Sequence, residues 1–154
     1  MKKIAICFGT FDGLHQGHED YFRQAKELAD EIIVIIARDA TVVDVKGNLP
    51  STNEKERLLA VSEHPMVDDA RLGYHDDKYR VLEEIRPDII CLGYDQEAFT
   101  ENLDAEMARR GLSASIIRCH PYYPDTFKSS LLRGMREEEE TLAEAEYEEN
   151  GLPI

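Results

Sequence analysis

The sequence predicts an α/β protein built on a five-stranded parallel sheet. Three observations carry that prediction. Short apolar runs alternate with helix-forming stretches along the chain, the pattern of strands joined by helical crossovers. One run, EIIVIIA at residues 31–37, is apolar without a break, as in a strand buried on both faces. Finally, no run is long enough to span a bilayer, and the 154 residues are 42% hydrophobic and 32% charged, which suits a single soluble domain with a real core.

Taken in order, residues 3–8 (KIAICF) read as a strand. A helix is expected over 17–29, with Tyr21, Phe22, Ala25, Leu28 and Ala29 on one face. The strand at 31–37 follows, then a polar loop from Arg38 to about Thr52. Ser51 and Glu54 have capping-box spacing ahead of KERLLAVSEH, a further helix. A weak strand is expected at 70–72. The helix at 78–85 stops before Pro87, and residues 88–93 (DIICLG) form the next strand. A helix over 102–110 ends at Gly111. Residues 113–119 are the last strand, and a loop rich in Pro and Tyr leads to a final helix from about Ser129. Right-handed crossovers make this a Rossmann-like three-layer sandwich. Ligands of such sheets gather at the carboxyl ends of the strands, near the switch in strand order. The loops after Phe8, Ala37, Leu92 and Cys119 open there.

Charge and cysteine usage narrow the partners. The net charge of −14 argues against nucleic acid, whose phosphates need a basic face. No membrane contact is expected, and nothing at the N-terminus resembles a signal peptide. Cys7, Cys91 and Cys119 each sit in or beside a strand-like run and contain no CxxC, so they read as buried, reduced thiols of a cytoplasmic protein. Residues 134–154 carry eight Glu and one Arg. This acidic tail or helix, with Leu131, Met135 and Leu142 as a thin apolar stripe, belongs to the same domain as residues 1–133 and is assigned no chemistry. Oligomeric state, a homodimer included, stays open.

The informative stretch is GTFDGLHQGH, Gly9 to His18. It contains neither GxGxxG nor GK[ST], yet its logic is that of phosphate binding. A strand ends, a glycine turn follows and a helix begins, so unpaired N–H groups with partial positive charge face the ligand. His15 and His18 add donors on one side of the first turn, and Gly17 between them lets a ligand approach the backbone. A zinc site is disfavoured because no third or fourth partner is spaced to complete it. A structural turn with incidental histidines is the remaining alternative.

Gly9-Thr10-Phe11-Asp12 followed by His15-Gln16-Gly17-His18 resembles the signature of the cytidylyltransferase-like nucleotidyltransferases. Within that superfamily ARDATV, KGNLP, PDIICLGYDQ and FKSSLLR fall where archaeal-type FAD synthetases have similar segments, over roughly residues 1–133. The glycerol-3-phosphate cytidylyltransferases are the next resemblance. Their Arg-Thr-x-Gly-Ile-Ser-Thr segment is PDTFKSS here, without the arginine, which favours the FAD synthetase reading while leaving ATP against CTP open.

The resemblance implies attack of an FMN phosphate oxygen on the α-phosphorus of ATP with loss of pyrophosphate, in the presence of Mg²⁺ for which no protein ligand is named. It implies nucleotide contacts from Thr10, Phe11, Gln16 and Gly17, and donation to the α-phosphate from His15 and His18. It also implies that Lys46 reaches over the phosphates from its loop, and that Ser129 and Ser130 meet the β- and γ-phosphates at a helix start. Lys128 and Arg133 are further cations for the same anions. Asp95 would touch the nucleoside, although by itself it also fits an Asx turn. Tyr94, Phe99, Tyr122, Tyr123 and Phe127 form an aromatic surplus suited to a flavin, with Tyr122 the best single ligand contact and Tyr94 on the acceptor side. Asp39 either orients the acceptor or ends its strand. Two other functions are weighed: a cytidylyltransferase for a small phosphoalcohol such as glycerol 3-phosphate, and a non-catalytic nucleotide-binding module, which retention of both histidines disfavours.

Overall fold

The first strand in the chain is the middle strand of the sheet. In a computed structural model, which describes residues 2–97 and 100–122, β1 (Ile4–Gly9) is flanked by β2 (Glu31–Ile36) and β4 (Ile89–Leu92), with β3 (Asp69–Leu72) and β5 (Ser115–Arg118) outermost. All four pairings are parallel. The order β3-β2-β1-β4-β5 reverses direction between β1 and β4, which creates the switch point.

Both faces of the sheet are covered. Ala5 and Cys7 of β1 point to one core, together with Tyr21, Phe22 and Ala25 of α1 (Gln16–Leu28) and Val61 of α3 (Glu54–Ser62). Ile6 and Phe8 point to the other, against Val81 and Leu82 of α4 (Arg80–Ile85) and Leu103 and Met107 of α5 (Leu103–Arg109). Alternation of side chains along one strand therefore feeds two cores, and the result is the expected three-layer α/β sandwich. No helix among the described residues is long and apolar enough to cross a membrane. Cys7, Cys91 and Cys119 are buried free thiols. Burial pushes the Cys7 thiol well up from its ordinary value, so it is inert as a nucleophile.

Two expectations are corrected. The expected loop from Arg38 to about Thr52 is helical in its first part: α2 (Asp39–Lys46) occupies it and ends on Gly47 in the left-handed conformation, and only the remainder up to α3 is loop. The sequence of α2, DATVVDVK, has three β-branched valines and no amphipathic stripe, which hides it from periodicity. The cap of α3 is Asn53, not Ser51. Its side chain accepts from the Glu56 N–H at 2.9 Å while Glu56 accepts from the Asn53 N–H at 3.1 Å. A 3₁₀ turn (Thr100–Asn102) precedes α5. The expected helix from Ser129 and the acidic tail lie outside the described residues.

Candidate active site

The cleft opens where the central strands part. Pairing of β1 with β4 ends at Cys7 and Cys91, while pairing of β1 with β2 continues to Gly9 and Ile36. The gap is stitched by side chains. The Tyr21 hydroxyl accepts from the Phe8 N–H at 3.1 Å and donates to the Cys91 carbonyl at 2.6 Å. The Gln96 amide donates to the Phe8 carbonyl and its oxygen accepts from the Gly93 N–H at 2.8 Å. Arg118 donates to the carbonyls of Gly93 and Gln96, each at 2.8 Å, which fixes the loop after β4. The result is a cleft of about 640 Å³ at the carboxyl edge of the sheet, of the size that takes a small ligand.

The turn from Gly9 to His18 forms its floor. Phe11 adopts a left-handed conformation (φ 56°), an uncommon state for a bulky residue. Its ring folds back over Gly9, where a Cβ would come within 2.7 Å of it; glycine is required there. Phe11 is 3% exposed and packs on Phe22. Its edge meets the His18 ring, with centroids 5.1 Å apart.

His15 is the N-cap of α1. Its Nδ1 accepts from the Gly17 N–H at 3.0 Å, and the Nδ1 of His18 accepts from the His15 N–H at 3.3 Å. Imidazoles rather than the usual hydroxyl and carboxylate thus make a reciprocal capping box. With each Nδ1 accepting, the neutral rings carry their proton on Nε2. The rings stack at 3.8 Å. A Cβ on Gly17 would lie 2.8 Å from the His15 ring, so Gly17 is needed to seat that ring. Burial, then the neighbouring His15 and Lys46, lower the His18 pKa to about 4. At neutral pH His18 is an uncharged donor at a helix N-terminus.

The wall beside this turn is organised by Arg57, which is 1% exposed. Its guanidinium donates to the carbonyls of Thr10 (2.8 Å), Ala37 (2.7 Å) and Thr52 (3.0 Å), and to the Asp39 carboxylate (2.7 Å). One buried fork therefore fixes the floor turn, the end of β2, the start of α2 and the approach to α3. Asp12 adds a second tie: its carboxylate accepts from the N–H groups of Ser51 (2.7 Å) and Thr52 (2.9 Å) and from the Thr52 hydroxyl. Those bonds hold its pKa down, to about 2.

The sequence-predicted residues divide accordingly. Thr10, Phe11, His15, Gly17, His18, Lys46, Tyr94, Asp95 and Tyr122 all line the cleft, Phe11 with its ring packed inward. Lys46 stands on the last turn of α2 rather than in a loop. Gln16 is not in the lining; its side chain accepts from the Tyr122 hydroxyl at 2.9 Å and so holds that ring. Asp39 does not face the cleft either. Its carboxylate is occupied by Arg57 and the Glu54 N–H, and the residue is not in the cleft lining. Ser129, Ser130, Lys128, Arg133, Tyr123, Phe127 and Phe99 lie outside the described residues. Arg57, Gln96 and Tyr21 were missed by sequence reasoning. A charged residue amid the apolar positions of α3 was the one available signal. The loop after β3, with Gly73, Tyr74 and Lys78, also lines the cleft.

The turn after the central strand of the parallel sheet is thus capped by histidines and lies at the switch point of the strand order. The model of the Cytidylyltransferase-like family matches residues 6–137, and the chain belongs to that family. It is 47% identical over 118 residues to the FAD synthase of Methanosarcina barkeri, covering 77% of this chain and 83% of that one. It is 40% identical over 128 residues to the FAD synthase of Thermoplasma acidophilum, covering 83% and 89%. Among solved structures, the lipopolysaccharide core biosynthesis protein from Thermoplasma volcanium superposes with a TM-score of 0.76 at 36% identity, covering 80% of this chain and all of that one.

Proposed function

We propose that the chain is an FMN adenylyltransferase, taking FMN and Mg·ATP to FAD and pyrophosphate. The observation that carries this reading is the paired imidazoles, both with Nδ1 turned to the backbone and the protonated Nε2 left for a ligand. The similarity to two FAD synthases supports the choice of acceptor.

In the reaction, one oxygen of the FMN phosphate forms a bond to the α-phosphorus of ATP. The bond from that phosphorus to the bridging oxygen breaks, and pyrophosphate leaves with its electron pair. A phosphomonoester has its second pKa near ~6, so the nucleophile is ionised at neutral pH and needs no general base. The protein's task is to hold the two anions in line and to neutralise charge growing at the α-phosphate. His15 and His18 donate there, and Lys46 supplies a full positive charge beside His18. Asp95 and Tyr122 face the nucleoside. Mg²⁺ enters on the triphosphate as part of the substrate: among the described residues no three His, Cys, Asp or Glu side chains converge to hold a cation, and Asp12 is committed to Ser51 and Thr52. Residues 1–133 carry the chemistry and 134–154 lie outside it.

The test is pyrophosphate release with ATP or CTP against FMN, glycerol 3-phosphate and phosphocholine. The expected result is turnover with ATP and FMN alone. Turnover with CTP and glycerol 3-phosphate, and none with FMN, overturns the reading.

A further inference from the structure

The two halves of the cleft carry opposite charge. On the β4–β5 side the lining holds Asp95 and Glu97 and, among the described residues, no lysine or arginine. On the β2–β3 side it holds Arg38, Lys46 and Lys78; the one carboxylate there, Asp12 of the turn after β1, is bonded to Ser51 and Thr52. Such segregation is notable in a chain with 32 acids and 18 bases. Arg38 is already engaged, donating to the Gly73 carbonyl at 2.7 Å and pairing with Glu54 at 3.4 Å. Lys46 and Lys78 have no acidic partner among the described residues. Lys46 stands beside His18 and serves the triphosphate. Lys78, on the loop after β3, is a cation in the cleft wall that the nucleotide does not account for.

The same side has an apolar flank. Val45 of α2 lines the cleft while 49% exposed, and it faces the same space as Tyr74. Tyr74 is held rigidly, with its hydroxyl on Glu84 at 2.7 Å and the Arg80 guanidinium 4.6 Å above its ring. An exposed apolar side chain gains free energy when a ligand covers it. An ammonium with no acidic partner, in a wall whose one carboxylate is already taken by Ser51 and Thr52, favours a dianionic phosphate.

We propose that Lys78 binds the phosphate of the acceptor, and that the β2–β3 half of the cleft selects a phosphomonoester with an apolar body. The nucleoside then occupies the β4–β5 half, and the two substrates meet over His15 and His18. This rests on the FMN adenylyltransferase reading for the identity of the acceptor, but not for its position.

The experiment compares Lys78→Gln with wild type, and with Lys55→Gln as a control. Lys55 is an exposed lysine of α3 outside the cleft lining, so the control makes the same change in net charge. Flavin fluorescence quenching gives Kd for FMN and for riboflavin, which lacks the phosphate, and steady-state rates give KM for ATP. The expected result for Lys78→Gln is a ten-fold or larger rise in Kd for FMN, with riboflavin binding and the KM for ATP within two-fold of wild type. Lys55→Gln leaves all three unchanged. An equal loss for FMN and riboflavin, a matching rise in the KM for ATP, or no change at all overturns the proposal. If wild type turns over a different phosphomonoester and not FMN, the FMN reading fails by itself. The KM for that phosphomonoester in Lys78→Gln, ten-fold raised or unchanged, then decides the role of Lys78.

Discussion

Two segments form the floor and wall of the cleft, and they are held in opposite ways. The turn from Gly9 to His18 closes largely on itself: His15 bonds Gly17 two residues away, and His18 bonds His15 three residues away. The segment from Arg38 to Arg57 closes on distant partners. Arg57 reaches Thr10 across 47 residues, Ala37 across 20 and Asp39 across 18, and Asp12 reaches Thr52 across 40. Local bonding leaves a spacing that can be read along the chain. Distributed bonding leaves none, because each residue type is ordinary by itself. The first segment presents the chemistry, and the second determines where that chemistry sits relative to the rest of the cleft.

The largest effect separates the two. Arg57→Ala leaves the partly exposed Asp39 without its cation and three carbonyls without a donor, and a buried polar group left without its hydrogen bond typically costs about 1–3 kcal/mol. Chemical denaturation should show that loss. Arg57→Lys keeps the charge but not the fork; it should fold and still turn over slowly, because the floor turn is no longer fixed to β2. A stability for Arg57→Ala within ~1 kcal/mol of wild type, on the scale of an ordinary surface substitution, would show that the wall holds itself.

Next come the histidines. Losing one donor to charge that develops in the transition state costs on the order of 100-fold in rate. His18→Ala should lose that much in kcat while the KM for ATP stays within several-fold and the fold survives. His15→Ala should lose rate as well, and additionally about 1 kcal/mol of stability, because it removes the N-cap of α1. A His15→Ala variant with the thermal midpoint of wild type would contradict the capping role of His15. Full turnover in a folded His18→Ala variant would contradict the donor role of His18.

A titration of His18 comes last. In the unfolded chain a histidine takes up a proton near ~6.5, whereas in the folded chain His18 does so only at about 4. Between those values the unfolded state binds the extra proton, so folding loses stability as the pH falls from ~6.5 to about 4, and this contribution stays constant below. NMR of the imidazole nitrogens should place the midpoint of His18 near 4, with the neutral ring protonated on Nε2. A midpoint near 6.5 would mean that the floor turn is open to solvent and less self-contained than its bonds indicate.

Much of this architecture was legible in the sequence. Strand–helix alternation determined the parallel sheet, since apolar runs of this length can bury both faces only between layers of helices. The glycine and histidine spacing of residues 9–18 determined the floor turn, since a helix start offers unpaired N–H groups wherever it occurs. Even there, the tertiary structure added to the reading of individual atoms: Phe11 turns its ring into the core, Gly17 makes room for the His15 ring as well as lining the cleft, and His15 is the cap of α1. Helix α2 was decided by tertiary structure alone. Its valines carry no helical stripe, and it is held where Arg57 takes Asp39 at its first turn and where the Asp39 N–H donates to the Glu54 carboxylate at 2.8 Å. The charge asymmetry of the cleft arises in the same way, because Lys46, Lys78, Asp95 and Glu97 become two opposed walls only after the strand order has placed β2 and β3 on one side of β1, and β4 and β5 on the other.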